Sequence, residues 1–172
     1  MKNLKKFVAL LLAGVMAMVM LTACGGGNTV MDEKKQEQAY ATIRGNKVNS
    51  ASVIENDREL QAIADGYLKK DLSGKVEFGG AKWVAGFYVD GSEKDQYLTI
   101  TATSRYEAGF LLQYLLNEMQ SWIGKKLPDT NVDLKANGSW TKLGVVVRTD
   151  LDTKKSYMAI SFRIANPNYK GK

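Results

Sequence analysis

Ser139-Trp140-Thr141-Lys142 sets a hydroxyl three residues before an amine, the spacing that lets a lysine take the proton of a serine nucleophile on one turn of helix. Here the serine follows Asn137-Gly138 and opens an extended run, where the first and fourth residues point to opposite faces, so the pair is not expected to cooperate. Asp150 and Asp152 begin like a calcium loop, but Lys154 occupies the third ligand position and no glycine follows. Asp90, Glu93 and Asp95 crowd one loop that reads as a solvated hairpin tip. The chain has no histidine and one cysteine, Cys24. That removes the commonest general base, the His-dependent nucleophiles, nearly all zinc sites and any internal disulfide. No phosphate-binding loop, dinucleotide fingerprint or GxSxG elbow occurs. We therefore expect no catalytic residue, no metal and no cofactor. Any catalysis would rest on Asp, Glu, Lys, Ser or Tyr.

The elements that would position these residues follow from periodicity. A helix is expected over 52–72: Ser52 and Glu55 fit a capping box, Leu60, Ile63, Ala64, Tyr67 and Leu68 recur at helical spacing, and Gly74 supplies a stop. A second helix is expected over 105–124, announced by Ser104 and Glu107 and carrying Leu111, Leu112, Leu115, Leu116, Met119, Trp122 and Ile123. Three extended runs follow each helix, at 75–78, 81–90 and 96–103, then at 131–136, 139–150 and 155–165. Gly79-Gly80 and Asn137-Gly138 are hairpin signals, because type I′ turns need positive φ. Ala85, Phe87 and Val89, then Leu98, Ile100 and Ala102, alternate with more polar neighbours. So do Leu143, Val145 and Val147, and Met158, Ile160, Phe162 and Ile164. The expected fold class is α+β, an antiparallel sheet of about six strands with two helices packed on one face. The halves also align as a tandem αβββ repeat, with Trp83 on Trp140, Val89 on Val147, Tyr97 on Tyr157 and Ile100 on Ile160. That alignment needs several small insertions, and strand preference for Val, Ile and Tyr produces such matches without duplication.

If both helices cover one face, the other looks outward and carries Tyr88, Tyr97, Thr99, Arg148, Tyr157 and Arg163, with Gly86 and Gly144 between them. Tyr and Arg are enriched at binding hot spots, which makes this face the candidate binding surface. The plainer alternative is a solvated sheet decorated with Tyr and Thr. Trp140 is outward by parity, but matching Trp83 would require a bulge that turns it inward.

Lys2, Lys5 and Lys6, an apolar run from Phe7 to Met20 and then Leu21-Thr22-Ala23-Cys24 open the chain. A charged head, a short apolar middle and small residues before a cut site make a secretory signal peptide. The last four residues resemble the lipobox of bacterial lipoproteins, a match confined to residues 1–24. The resemblance implies thioether lipidation of Cys24, cleavage between Ala23 and Cys24, and acylation of the new amino terminus with a fatty acid such as palmitate. It also implies attachment to the cell membrane, facing its extracytoplasmic side. The expected organisation is a signal peptide at 1–23, a lipidated and flexible tether at 24–38, and one α+β domain at 39–172. The three leading lysines carry half of the formal net charge of +6, so no nucleic-acid footprint is read from it. The expected function is a non-enzymatic binding domain displayed on the cell envelope, with an envelope protein, peptide or cell-wall polymer as partner. The alternatives are a carboxylate-based envelope hydrolase or transferase, and a purely structural envelope component.

Overall fold

Alternation of apolar and polar residues gives each strand one face for a core, and the architecture follows from what covers those faces. The computed structural model describes residues 28–45, 55–74, 77–78, 81–92, 94–106, 110–126, 140–166 and 168–170. In chain order these form strand β1 (Thr29–Met31), helix α1 (Glu33–Gly45), helix α2 (Arg58–Leu72), strands β2 (Glu77–Phe78), β3 (Ala81–Lys82), β4 (Ala85–Asp90) and β5 (Tyr97–Arg105), helix α3 (Phe110–Lys126), and strands β6 (Trp140–Asp150) and β7 (Ser156–Ala165). Five strands make one antiparallel sheet in the order β1-β6-β7-β5-β4, and β2 pairs with β3 as a separate ribbon. The α+β class with an open antiparallel sheet is as expected. The described sheet has five strands rather than six, and three helices rather than two. The expected strand at 131–136, the Asn137-Gly138 turn, Ser52 and Glu107 lie outside the described residues, while Ser104 and Arg105, expected to open the second helix, end strand β5 instead.

The first face is the one that alternation marks. Leu98, Ile100, Ala102, Leu143, Val145, Val147, Met158, Ile160, Phe162 and Ile164 form one cluster with Ala39 and Ile43 of α1 and Met119 and Ile123 of α3. Phe87 and Val89 pack at its margin. A register shift between Trp140 and Lys142 inserts a bulge, so Trp140 turns into this core and meets Phe162 edge-on, 5.1 Å between ring centroids.

The second face is covered too, which corrects the expected arrangement of both helices on one face. Helix α2 buries Leu60, Ala64, Leu68 and Leu72, spaced by four, and the last three cluster with Val84, Val146, Tyr157 and Ala159. Each leucine so buried stabilises by about 1.5–3 kcal/mol. The close approach requires Gly144: a Cβ there would stand 2.5 Å from the Leu60 carbonyl carbon. The helix starts at Asp57, whose carboxylate accepts the Leu60 N–H at 3.0 Å. The domain is thus a three-layer sandwich, α1 and α3 on one side of the sheet and α2 on the other. Adjacent antiparallel strands are related by a two-fold axis normal to the sheet, which keeps faces unchanged. Helices α2 and α3 lie on opposite faces, so that axis does not carry one onto the other, and Trp83 is exposed where Trp140 is buried.

The tether assignment is also corrected for 28–38, residues 24–27 lying outside the described residues. Residues 29–31 pair with β6 and 33–38 open α1, so the folded domain includes Asn28 onwards. The rest of the outer edge of β6 is closed by short polar contacts. Asp32 N–H donates to the Val147 carbonyl at 2.9 Å, Asp57 N–H to the Leu143 carbonyl at 2.9 Å, and the Asn56 amide bonds both the N–H and the carbonyl of Val145. Asn56 thereby stands in for a neighbouring strand.

Candidate functional site

The candidate binding face reduces to a rim once α2 is in place. Thr99, Arg148 and Tyr157 are buried, with Arg148 only 2 % exposed. The polar atoms of Arg148 and Tyr157 are met by partners outside the central strands. Arg148 grips Asp65 of α2 through Nε at 2.5 Å and Nη2 at 3.0 Å, and its Nη1 donates to the Thr29 carbonyl at 3.3 Å. Lys69 adds a second cation to Asp65 at 2.8 Å. Burial opposes the charged form of Asp65, yet the hydrogen bonds from Arg148 and Lys69 outweigh it and hold the carboxyl below its usual range. The Tyr157 hydroxyl accepts the Lys82 N–H at 2.9 Å, and Lys82 Nζ reaches the Leu72 carbonyl at 2.5 Å. Thr101 and Ser161 share a buried hydrogen bond of 2.7 Å. The Arg148 and Lys82 contacts hold the helix and the β2–β3 ribbon to the sheet, and the Thr101–Ser161 bond ties β5 to β7.

Tyr88 belongs to a second arrangement, between the last turns of α2 and the edge strand β4. Its ring stacks on Tyr67, 3.9 Å between centroids and 15° from parallel, with Lys70 Nζ 5.2 Å from its centre. Tyr88 and Thr103 both donate to Asp71, and Tyr67 donates to Asp90. Bonding to Asp90, helped by burial, pushes the Tyr67 phenol up to about 12. Burial first, and then Asp71, drive Tyr88 higher still. Both phenols are therefore held protonated as donors, which makes them poor nucleophiles and poor bases. Asp90 Oδ2 is buried without a hydrogen-bond partner among the described residues. No group of three His, Cys, Asp or Glu side chains among those residues is placed to hold a metal.

Among the described residues a serine meets a lysine at Ser156, while Ser139 lies outside them. Lys35 Nζ donates to Ser156 Oγ at 2.7 Å, Ser156 shares a 2.7 Å bond with Thr149, and Thr149 donates to Asp32 at 2.7 Å. Asp32 stands 3.2 Å from Lys35. An ammonium paired with a carboxylate has no lone pair with which to take the serine proton. The cluster ties the start of α1, where Asp32 accepts the Lys35 N–H, to the β6–β7 hairpin. Sequence reading missed Asp32 and Lys35 because both fall in the polar stretch assigned to the tether.

What remains open of the expected face lies at the end away from β1. Tyr97 is 44 % exposed. Arg163 is partly exposed and bonded to Glu59 at 2.9 and 3.3 Å, and Lys142 stands 3.1 Å from Asp57 and 3.8 Å from Glu59. Tyr97 and Arg163 thus stay on an accessible surface, Tyr88 is half-buried in its clasp, and Thr99, Arg148 and Tyr157 belong to the interior. Ala23 and Cys24 lie outside the described residues. Among the described residues no helix is long and apolar enough to cross a membrane. No protein-family model, curated protein or solved structure matches this chain.

Proposed function

We propose that this protein is a lipid-anchored envelope lipoprotein whose domain acts by binding rather than by catalysis. The observation that carries the reading is Leu21-Thr22-Ala23-Cys24 behind a lysine head and a short apolar run. Two or more acyl chains at Cys24 would make attachment stable, since each buried methylene contributes about 0.8 kcal/mol. The binding part of the proposal rests on the rim of Tyr97, Arg163, Glu59 and Lys142, where the register sets an exposed aromatic residue diagonally across from Arg163, itself paired with Glu59. An envelope protein, a peptide or a cell-wall polymer offers the hydrogen-bonding and apolar groups such a rim would take. The non-enzymatic part is supported by the engagement of Asp65 and Asp71 with Arg148, Tyr88 and Thr103.

Cells expressing the Cys24→Ser chain test the anchor. The variant should accumulate as an uncleaved precursor that takes up no labelled fatty acid. Normal processing with membrane retention would overturn the lipoprotein assignment. Cross-linking in intact cells through a photoreactive residue at position 97 tests the rim, and a partner captured there should be lost in Arg163→Ala.

A further inference from the structure

We propose that the end of the domain where the chain enters β1 rests on an anionic phospholipid surface, with the β6–β7 turn and Trp83 at headgroup level. The inference builds on the lipoprotein reading, because it starts from an anchor at Cys24. The four residues from Gly25 to Asn28 span at most about 14 Å even when fully extended. Asn28 is fastened to the tip of the β6–β7 turn: its carbonyl accepts the Leu151 N–H at 2.9 Å and its amide donates to Asp152 at 2.8 Å. A lipid on Cys24 would therefore hold that tip at the bilayer, where the headgroup layer is itself several ångströms deep.

The surface at this end suits such a neighbour. Strand register brings the start of β4, the end of β5, the start of β7 and the end of β6 to one end of the sheet, through Ala85 opposite Ser104, Ser104 opposite Met158 and Met158 opposite Val147. Trp83, two residues before β4, is 65 % exposed there, and Leu151 on the turn is 41 % exposed. Val30 and Met31 add exposed apolar surface from β1. Lys154 and Lys155 are exposed beside Leu151. Two acids share the turn, the buried Asp150 and the exposed Asp152, and both are held by N–H groups of the domain itself. Asp150 accepts the N–H groups of Asp152 and Thr153 at 2.9 Å, and Asp152 is bonded to Asn28. Tryptophan is favoured at the headgroup level, and lysines there are drawn to anionic lipid. The opposite end of the sheet carries the charged Tyr97–Arg163 rim, which this orientation turns outward.

Cys24 is the only cysteine, and lipidation consumes its thiol, so an introduced cysteine can be labelled alone. Thr153→Cys places a spin label on the turn and Lys94→Cys places one on the β4–β5 loop at the far end. The full chain is expressed in a bacterium, and the processed protein is reconstituted in vesicles of phosphatidylethanolamine and phosphatidylglycerol after its mass is measured. The label at 153 should collide with a water-soluble nickel chelate several-fold less often than the label at 94. Adding Lys154→Glu and Lys155→Glu should raise collisions at 153 and leave the mass of the lipid adduct unchanged. Equal nickel access at 153 and 94 in a protein that carries the adduct would overturn the docking alone. A mass without the adduct would overturn the lipoprotein reading and this orientation with it.

Discussion

Tyr97 and Tyr157 align in the two halves of the chain, yet one is at the surface and the other is wholly enclosed. Truncating a large buried ring costs about 3–5 kcal/mol, whereas a surface change stays near 0.5 kcal/mol. Tyr157→Ala should therefore lower the Tm sharply and leave the Lys82 N–H without its partner, while Tyr97→Ala should melt close to the unaltered protein. Arg148 makes a parallel case with charge. Arg148→Met keeps much of the side-chain volume but leaves Asp65 with Lys69 as its cation, and removing one partner of a buried pair costs about 3 kcal/mol. The pH dependence has a fixed sign. Asp65 titrates lower in the folded chain than its unfolded value of about 3.9, so its contribution is complete above that pH and is lost as pH falls through the lower folded value. Urea titrations of the two proteins should show a stability gap that is constant above about pH 5 and narrows in more acidic buffer.

Helix α2 depends on the sheet beneath it having no side chain at residue 144. A Cβ at that position meets Leu60 backbone and side chain at 2.5 Å and the Gln61 nitrogen at 2.6 Å, none of which can swing aside. Gly144→Val should lift the helix and cost at least about 1–3 kcal/mol, the range for overpacked cores. Circular dichroism melts of this variant beside Gly66→Ala check the point, since position 66 has open space around it and alanine favours helix. Equal melting of the two variants would mean that α2 does not sit closely on β6.

At the scale of the whole molecule, the amino-terminal stretch is part of the domain. Met31, Val30 and Thr29 pair with β6, Asp32 and Lys35 bind Thr149 and Ser156, and Ala39 and Ile43 enter the main core. A chain beginning at residue 39 loses β1 and the first half of α1, and it uncovers the edge of β6. Such a chain should aggregate or melt well below one beginning at Asn28, as scanning calorimetry would show. Equal stability of the two would return residues 28–38 to the role of a tether. Only three residues separate Cys24 from Asn28, which, on the lipoprotein reading proposed above, sets how closely the domain would sit to a membrane.

Local pattern determined much of this. The period of two placed Leu98, Ile100, Leu143, Val145, Ile160 and Phe162 on a shared buried face, and the four-residue recurrence of Leu60, Ala64 and Leu68 marked α2. The targeting role proposed for residues 1–24 is likewise read from local composition. Only the tertiary structure decided what lies over the second face. Its residues look solvent-facing because they are polar, but Arg148 is matched by Asp65, Thr101 by Ser161 and Thr103 by Asp71, all far away in the chain. Burial of a polar group depends on whether a partner arrives, and alternation within one strand carries no record of that partner. Helix α1 was hidden for a related reason. Among its described side chains it buries only Ala39 and Ile43 fully, so its mostly polar sequence reads as solvated chain until β6 and β7 supply the groups that hold it.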